Sequence, residues 1–131
     1  MMTIWTTGDA NNNWGLNGVC FIEKVDERGN LQVWIVDGAY IRSHLDEEFT
    51  NFGQHYRYQY IPINELWIDR EAEHDEREFF IEHLLVEYQL MAKGIPYEEA
   101  LLEADRVERK ERRRARDVSR FTLSHNRPYG V

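Results

Sequence analysis

The alternation of apolar and polar residues in the first half of the chain predicts short β-strands. Residues 17–25 and 31–36 are rich in apolar and β-branched positions, and they flank the polar segment 26–30, which contains a glycine. Two such runs around a short polar turn are typical of a β-hairpin. Asp37-Gly38 closes the second run, and we interpret residues 39–42 as a continuation of the strand after a bulge.

A second set of strands is predicted further along. Residues 54–61, QHYRYQYI, alternate so that three tyrosines share one face of a strand and His55, Arg57 and Gln59 share the other. A turn at 62–64 then leads into residues 65–68, ELWI, which read as a short strand. Together the runs predict an antiparallel sheet of four or five strands.

From Glu71 onward the apolar period changes to that of helices. One helix is predicted to end near Lys93, where Gly94 suits a helix C-terminus, and Pro96 suits the start of a second helix over residues 97–118. Strands followed by helices indicate an α+β domain in which a two-helix hairpin packs on the antiparallel sheet.

The length of 131 residues indicates a single domain spanning residues 1–131. Four segments are predicted within it, namely an N-terminal loop (1–16), the sheet (17–70), the helical hairpin (71–118) and an extended tail (119–131).

Charge is distributed unevenly along the chain, whose formal net charge is −8. Residues 106–120 hold eight of the 16 basic residues and three of the 24 acidic ones, so the remainder is strongly acidic. An acidic body argues against nucleic-acid binding, including stacking of bases on the sheet aromatics. The basic tract has two open interpretations: it complements the dipole of a helix C-terminus, or it contacts phosphates or an acidic partner.

Other bulk features exclude several classes of protein. Cys20 is the single cysteine, which excludes a disulfide framework and a cysteine-based zinc site within one chain. No apolar run approaches the roughly 20 residues of a membrane helix, and the N-terminus lacks the pattern of a secretion signal. We therefore expect a cytoplasmic protein with no membrane association.

The candidate chemistry lies in the first predicted helix, which contains FIEHLLVEYQLM. His83 and Glu87 are four residues apart and share a face of this otherwise apolar helix. In an antiparallel hairpin about Gly94, they lie opposite a stripe of the second helix that carries Glu108, with Asp105 nearby.

A histidine and carboxylates converging between two helices suit a divalent ion such as Zn²⁺, which takes three protein ligands and leaves a position for water. We predict His83, Glu87 and Glu108 as metal ligands, with His55 as a further candidate and Glu82 as an improvised general base. H-x-x-x-E is common in ordinary helices, so a hydrogen-bonded boundary histidine without any cofactor stays open as the alternative.

Several short motifs between Phe49 and Arg112 occur together. They are Phe49-Thr50, Gly53-Gln54-His55, the stretch IPINELWID from Ile61 to Asp69, His83, Glu87, Leu90-Met91, and the series Gly94, Tyr97, Ala100, Ala104, Glu108. This combination resembles a group of small phage and bacterial proteins with a metallopeptidase-like helical half. Their pattern joins F-T…G-H and I-P-x-x-E-[IL]-W-I-D to H-E-L-x-E-R-x-L-M and G-x-x-Y-x-x-A-H-x-x-A-x-x-x-E.

Two positions depart from that pattern. Leu84 stands where the pattern has the glutamate after the first histidine, and Leu101 stands where it has the second histidine. The resemblance therefore implies a metalloprotease-like scaffold that has lost part of its catalytic equipment, in a protein of the host cytoplasm or of a virion.

Three functions follow as hypotheses. The first is a catalytically weakened metallopeptidase-like phage protein that binds a protein partner, the second an active zinc-dependent hydrolase, and the third an acidic virion or anti-defence protein without metal. For the first, the partner-binding residues are expected in the basic tract, at Arg109, Arg112, Arg113 and Arg116. The sequence indicates no oligomeric state.

Overall fold

The computed structural model describes residues 20–126, with side chains described through residue 118. The predicted N-terminal loop, residues 1–16, lies outside this range. The elements follow one another in the order β1 (Phe21–Arg28), β2 (Leu31–Val36), α1 (Gly38–His44), β3 (Phe52–Gln54), β4 (Glu65–Asp69), α2 (Arg77–Ala92) and α3 (Tyr97–Asn126). The predicted α+β class is confirmed, with strands in the first half and the two long helices in the second.

The four strands form one mixed sheet in the order β1-β2-β4-β3. The predicted hairpin is present, because β1 and β2 pair antiparallel around a turn at Gly29 and Asn30. Its first strand runs further than predicted, to Arg28 instead of Val25. β3 and β4 also pair antiparallel, but β2 and β4 are parallel, so the prediction of an all-antiparallel sheet was wrong at this central pairing.

Helix α1 explains the parallel pairing. Residues 39–42, predicted as a strand, belong to α1, and the Asp37 side chain caps this helix by accepting a hydrogen bond from the Tyr40 backbone N–H. A parallel neighbour requires the chain to cross over and return to the same end of the sheet. α1 and the segment after it make that crossover, which a hairpin-based interpretation of Asp37-Gly38 could not anticipate.

The tyrosine-rich segment is not the predicted strand. Of residues 54–61, only Gln54 belongs to β3, and the rest form successive turns, in which the Tyr58 N–H donates to Gln54 O and the Ile61 N–H donates to Tyr58 O. Tyr58 and Ile61 are both buried, on the same side of the fold. Burial of these side chains in a compact turn outweighs the preference for a β-strand that the alternation indicates.

The helical hairpin is confirmed. α2 begins after a short 3₁₀ turn at His74–Glu76, and the Gly94 N–H donates to Met91 O where the chain leaves it. α3 follows Pro96 and continues to Asn126, so the predicted extended tail is helical over residues 119–126. Within the described part of the chain, no helix combines the length and the apolar character needed to cross a bilayer.

The sheet separates two clusters of buried side chains. Trp67 of β4 packs on one side with Val36, Ile41 and Phe49. Leu66 and Ile68 point to the other side, where they pack with Ile81 and Leu84 of α2. α2 therefore lies on the sheet, α3 packs against α2, and the seam between the helices opens beside β3.

A buried carboxylate ties the crossover to the sheet. Asp69 at the end of β4 is 1% exposed; it accepts a hydrogen bond of 3.1 Å from the Gly38 backbone N–H and forms an ion pair of 3.0 Å with Arg42. A Cβ at Gly38 would lie 2.2 Å from Asp69 Oδ2, so only glycine fits at the start of α1.

We therefore expect Gly38→Ala to lower the free energy of unfolding by about 1–3 kcal/mol, because the added methyl group displaces the buried carboxylate. Urea denaturation measures the change. Gly29→Asn is the matched control, because Gly29 has φ +62°, which asparagine tolerates, and a Cβ there meets no atom within 4 Å. Equal stability of the Gly38→Ala variant and the wild type would contradict this account of the crossover.

Candidate metal centre

His83 occupies the seam between α2 and α3. Its side chain is 3% exposed, and its ring lies 5.0 Å, centroid to centroid, from the ring of Phe52 in β3. The position follows from helix periodicity, because Leu84 and Ile81 point into the sheet while His83 turns toward α3. Both ring nitrogens of this buried imidazole have polar partners.

The Nδ1 side of the ring faces α3. Glu108 Oε1 lies 2.9 Å from Nδ1, and Asp105 Oδ1 lies 3.6 Å from it. The two acids are three residues apart, so they share a face of α3. Asp105 keeps its side chain 41% exposed, whereas that of Glu108 is 19% exposed.

The Nε2 side of the ring faces back along α2. Glu87 Oε2 lies 3.2 Å from Nε2, and the other oxygen of this carboxylate accepts a 2.7 Å hydrogen bond from Gln54 Nε2. Gln54 is itself fixed, because its side-chain oxygen accepts from the Tyr56 backbone N–H at 2.8 Å. A chain of hydrogen bonds thus connects the imidazole to β3, and His83 and Gln54 together hold the buried Glu87 carboxylate.

Arg112 orients the carboxylate of Glu108 from one turn further along α3. Its Nε donates to Glu108 Oε2 at 2.9 Å, and its two terminal nitrogens bind the Glu76 carboxylate at 3.0 and 2.6 Å. The guanidinium also lies over the ring of Phe79, 4.4 Å from its centroid. Glu108 therefore presents one oxygen to Arg112 and the other to His83.

Two of the carboxylates around His83, those of Glu87 and Glu108, influence its protonation when no ion is bound. Burial alone lowers the pKa of His83, but the hydrogen bonds and negative charges of Glu87 and Glu108 outweigh burial and raise the pKa above its ordinary value. The metal-free ring therefore favours the protonated form more than an ordinary histidine does, with one nitrogen facing Glu87 and the other facing Glu108.

His83, Asp105 and Glu108 form a group that could hold a metal ion. Each offers one ligand atom, and these atoms all lie within 4.8 Å of one another. One nitrogen and two carboxylate oxygens are a donor set that suits zinc, with a position left for water or another ligand. Glu87 contacts the opposite nitrogen of the ring, which is where a metal-ligating histidine usually donates to a carboxylate.

A cleft of about 310 Å³ opens beside this group. Arg57 projects along it, with its guanidinium carbon 4.8 Å from the ring centroid of Tyr58 and 4.7 Å from that of Tyr97. Helices α2 and α3 line one part of the cleft and the tyrosine-rich turn lines another. The lining side chains are His83, Glu87, Tyr97, Leu101, Asp105 and Glu108 of the helices with Arg57 and Tyr58 of the turn.

The structure brings together three of the predicted ligands, His83, Glu87 and Glu108, but gives Glu87 the far side of the ring. The other two candidates lie elsewhere. His55 Nδ1 lies 2.8 Å from the backbone oxygen of Ile61, and Glu82 forms an ion pair of 3.2 Å with Arg28 of β1. Neither lines the cleft as described, so neither is placed to act as ligand or base.

Several site residues were not found from the sequence. Asp105 was predicted near the group but not as a ligand. Its spacing of three residues from Glu108 places both carboxylates on one face of a helix, which could have identified it. The strand predicted over residues 54–61 concealed the contact of Gln54 with Glu87 and the position of Arg57 in the cleft. Of the two departures from the resemblance, Leu84 is fully buried against the sheet and Leu101 lines the cleft.

The four predicted partner-binding arginines divide into two groups. Arg112 is engaged with Glu76 and Glu108 within the fold, as described above. Arg109, Arg113 and Arg116 are exposed, and within the part of the chain with described side chains they form no ion pair.

Comparisons with models of known families, with curated proteins and with solved structures found no match for this chain. The site is therefore interpreted from its own geometry.

The raised pKa of His83 predicts a pH dependence of stability in metal-free protein. A histidine whose folded pKa exceeds its unfolded value of about 6.5 stabilises the fold fully below that pH, and the contribution is lost as pH rises through the folded pKa. The free energy of unfolding, measured by urea denaturation with a chelator present, should therefore decline above pH 6.5.

His83→Gln should remove this decline, whereas His74→Gln, which changes an exposed histidine in the 3₁₀ turn, should leave it in place. A decline of the same size in the His83→Gln variant would show that another group causes it.

Proposed function

We propose that this protein binds Zn²⁺ through His83, Asp105 and Glu108, and that it is a metallopeptidase-like protein with weakened catalysis that acts by binding a protein partner. The observation that carries the metal proposal is the two-sided environment of His83. Its Nδ1 faces two carboxylates at 2.9 and 3.6 Å, and its Nε2 faces Glu87, which Gln54 holds in place.

The arrangement of Glu87 supports a metal in particular. A carboxylate that accepts from one ring nitrogen fixes the tautomer, so that the other nitrogen offers its lone pair to an ion. A neutral imidazole has one N–H to donate, so it needs an acceptor at only one of its nitrogens. Here the second nitrogen meets two more carboxylates, whose mutual repulsion a divalent cation would relieve.

The donor types support zinc among the divalent metals. Magnesium and calcium prefer sites built from oxygen ligands alone, whereas an imidazole nitrogen with carboxylate oxygens suits zinc. Within the described residues no thiol approaches the group, since Cys20 is buried in the other core cluster.

Weakened catalysis is proposed because a general base is missing where hydrolysis would require one. In H-E-x-x-H enzymes the glutamate after the first histidine is the base, and Leu84 takes that position here, fully buried. Glu82 is paired with Arg28. Zinc bound in this cleft would then serve to organise a binding surface, with hydrolysis as the competing hypothesis.

Asp105→Asn tests the metal site directly. This exposed ligand can change without a cavity or a buried unpaired charge, so the fold should persist while zinc affinity, measured by isothermal titration calorimetry, falls at least about tenfold. Asp117→Asn, the same exchange at an exposed site of α3, should bind zinc as the wild type does.

Absence of zinc binding by the wild type would contradict the proposal and favour the acidic protein without metal. Unchanged affinity in Asp105→Asn would exclude Asp105 as a ligand. Peptide hydrolysis by zinc-loaded wild type that Asp105→Asn abolishes would favour the active hydrolase.

The partner-binding proposal rests on the exposed arginines of α3. Arg109, Arg113 and Arg116 recur at i, i+4 and i+7 and therefore form one basic face, which an acidic protein surface would complement. The acidic character of the remaining chain argues against nucleic acid as the partner.

Replacing these three arginines by glutamine should release a stoichiometric partner recovered with the wild-type protein from lysate, because the basic face loses its charge. The control variant carries the same exchange at three exposed cations outside α3, Lys24, Arg70 and Lys93. Equal recovery of the partner with both variants, measured by quantitative mass spectrometry, would place the interface elsewhere.

A further inference from the structure

Arg57 is the one basic side chain apart from His83 that lines the described cleft. Its guanidinium lies between two aromatic rings, 4.8 Å from the Tyr58 centroid and 4.7 Å from the Tyr97 centroid. Tyr58 belongs to the turn after β3, whereas Tyr97 begins α3. The two rings therefore fix a cation at the point where both sides of the cleft meet.

The hydrogen-bonding capacity of this guanidinium is not consumed by an acid. Within residues 20–118, no carboxylate lies within ion-pair distance of Arg57, although Glu87, Asp105 and Glu108 line the same cleft. In contrast, Arg28, Arg42 and Arg112 all form ion pairs. The Tyr97 side chain accepts a hydrogen bond from the guanidinium. A guanidinium has five N–H donors, so the others are available to bind an oxyanion through two parallel hydrogen bonds.

The backbone of this residue is positioned by the residue that also positions Glu87. The Arg57 N–H donates to Gln54 O at 3.2 Å, and the Gln54 side chain donates to Glu87. Gln54 therefore contacts both Glu87, beside the metal group, and the backbone of Arg57. These contacts fix the position of the Arg57 backbone relative to the metal group.

Charge balance indicates when an anion could enter. Three carboxylates outnumber the two basic side chains of the cleft, Arg57 and His83, so without a metal ion the cleft is net negative and repels an anion. A divalent cation together with Arg57 supplies three positive charges, which balances the three carboxylates and leaves the open position of the ion available to a ligand atom.

We infer that the cleft binds a small ligand with a terminal oxyanion, a carboxylate or a phosphate, whose anionic end is held by Arg57 and whose other end reaches the metal ion. The inference rests on the proposed zinc site and adds the chemical class of its ligand. A cleft of about 310 Å³ is at the lower end of the range for small-molecule sites, so the ligand is the size of one or two amino-acid residues.

Calorimetric titration of zinc-loaded protein tests the inference. Succinate places carboxylates at both ends of a short chain, and inorganic phosphate tests the other oxyanion; succinamide is the uncharged isostere of succinate. We expect at least one of the two anions to bind at least about tenfold more tightly than succinamide, and the tighter of the two to identify the preferred oxyanion.

Arg57→Gln should weaken binding of that anion at least about tenfold while zinc affinity stays within about twofold, because Arg57 is not a ligand of the ion. Arg57→Lys should restore part of the affinity by restoring the charge without the planar fork. Arg106→Gln, an exposed arginine of α3 outside the cleft, is the matched control and should bind both zinc and the anion as the wild type does.

Binding of the anions by Arg57→Gln at wild-type strength, or no binding by zinc-loaded wild type up to about 10 mM, would overturn the inference and leave Arg57 a purely structural residue stacked on its tyrosines. The zinc titration distinguishes failure of this inference from failure of the proposed zinc site. Zinc binding without anion binding contradicts only this inference, whereas absence of zinc binding contradicts the metal site on which it rests.

Discussion

The hydrogen bond between His83 Nε2 and Glu87 Oε2, 3.2 Å long and almost completely buried, is the contact on which the site depends. A buried carboxylate is costly unless its oxygens are satisfied, and Glu87 is satisfied by His83 on one side and by Gln54 on the other. This contact fixes the orientation of the imidazole. It thereby directs Nδ1 toward α3, where Glu108 and Asp105 lie. The geometry of the site therefore depends on where α3 packs relative to the sheet.

Two features of the fold, the crossover through α1 and the helical hairpin, bring the residues of the site together. The crossover through α1, secured by the buried Asp69, brings β4 parallel to β2 and leaves β3 at the edge of the sheet, where Gln54 ends it beneath α2. The helical hairpin brings α3 alongside α2, and Arg112 fixes Glu108 by pairing with Glu76 at the start of α2. Loss of either feature would separate site residues that are far apart in the sequence but close together in the fold.

Much of the helical half was predictable because its signals are local. Gly94 and Pro96 mark the turn, and antiparallel packing about that turn places His83 near Glu108 without further information. The parallel pairing was not predictable, because it depends on Asp69 binding the backbone of Gly38, a contact between distant residues. The tyrosine alternation was misleading because burial of Tyr58 and Ile61 decided the local conformation. Gln54 and Arg57 were consequently missed, since their roles follow from the turn.

X-ray diffraction from crystals grown with zinc, recorded at the zinc absorption edge, would test the central claim most directly. The account predicts a single strong anomalous peak in the seam between α2 and α3, about 2.0–2.1 Å from His83 Nδ1 and about 2.0–2.2 Å from oxygens of Asp105 and Glu108, with Glu87 still bonded to Nε2. A seam without an anomalous peak, or a peak bound to Nε2 in place of Glu87, would contradict it.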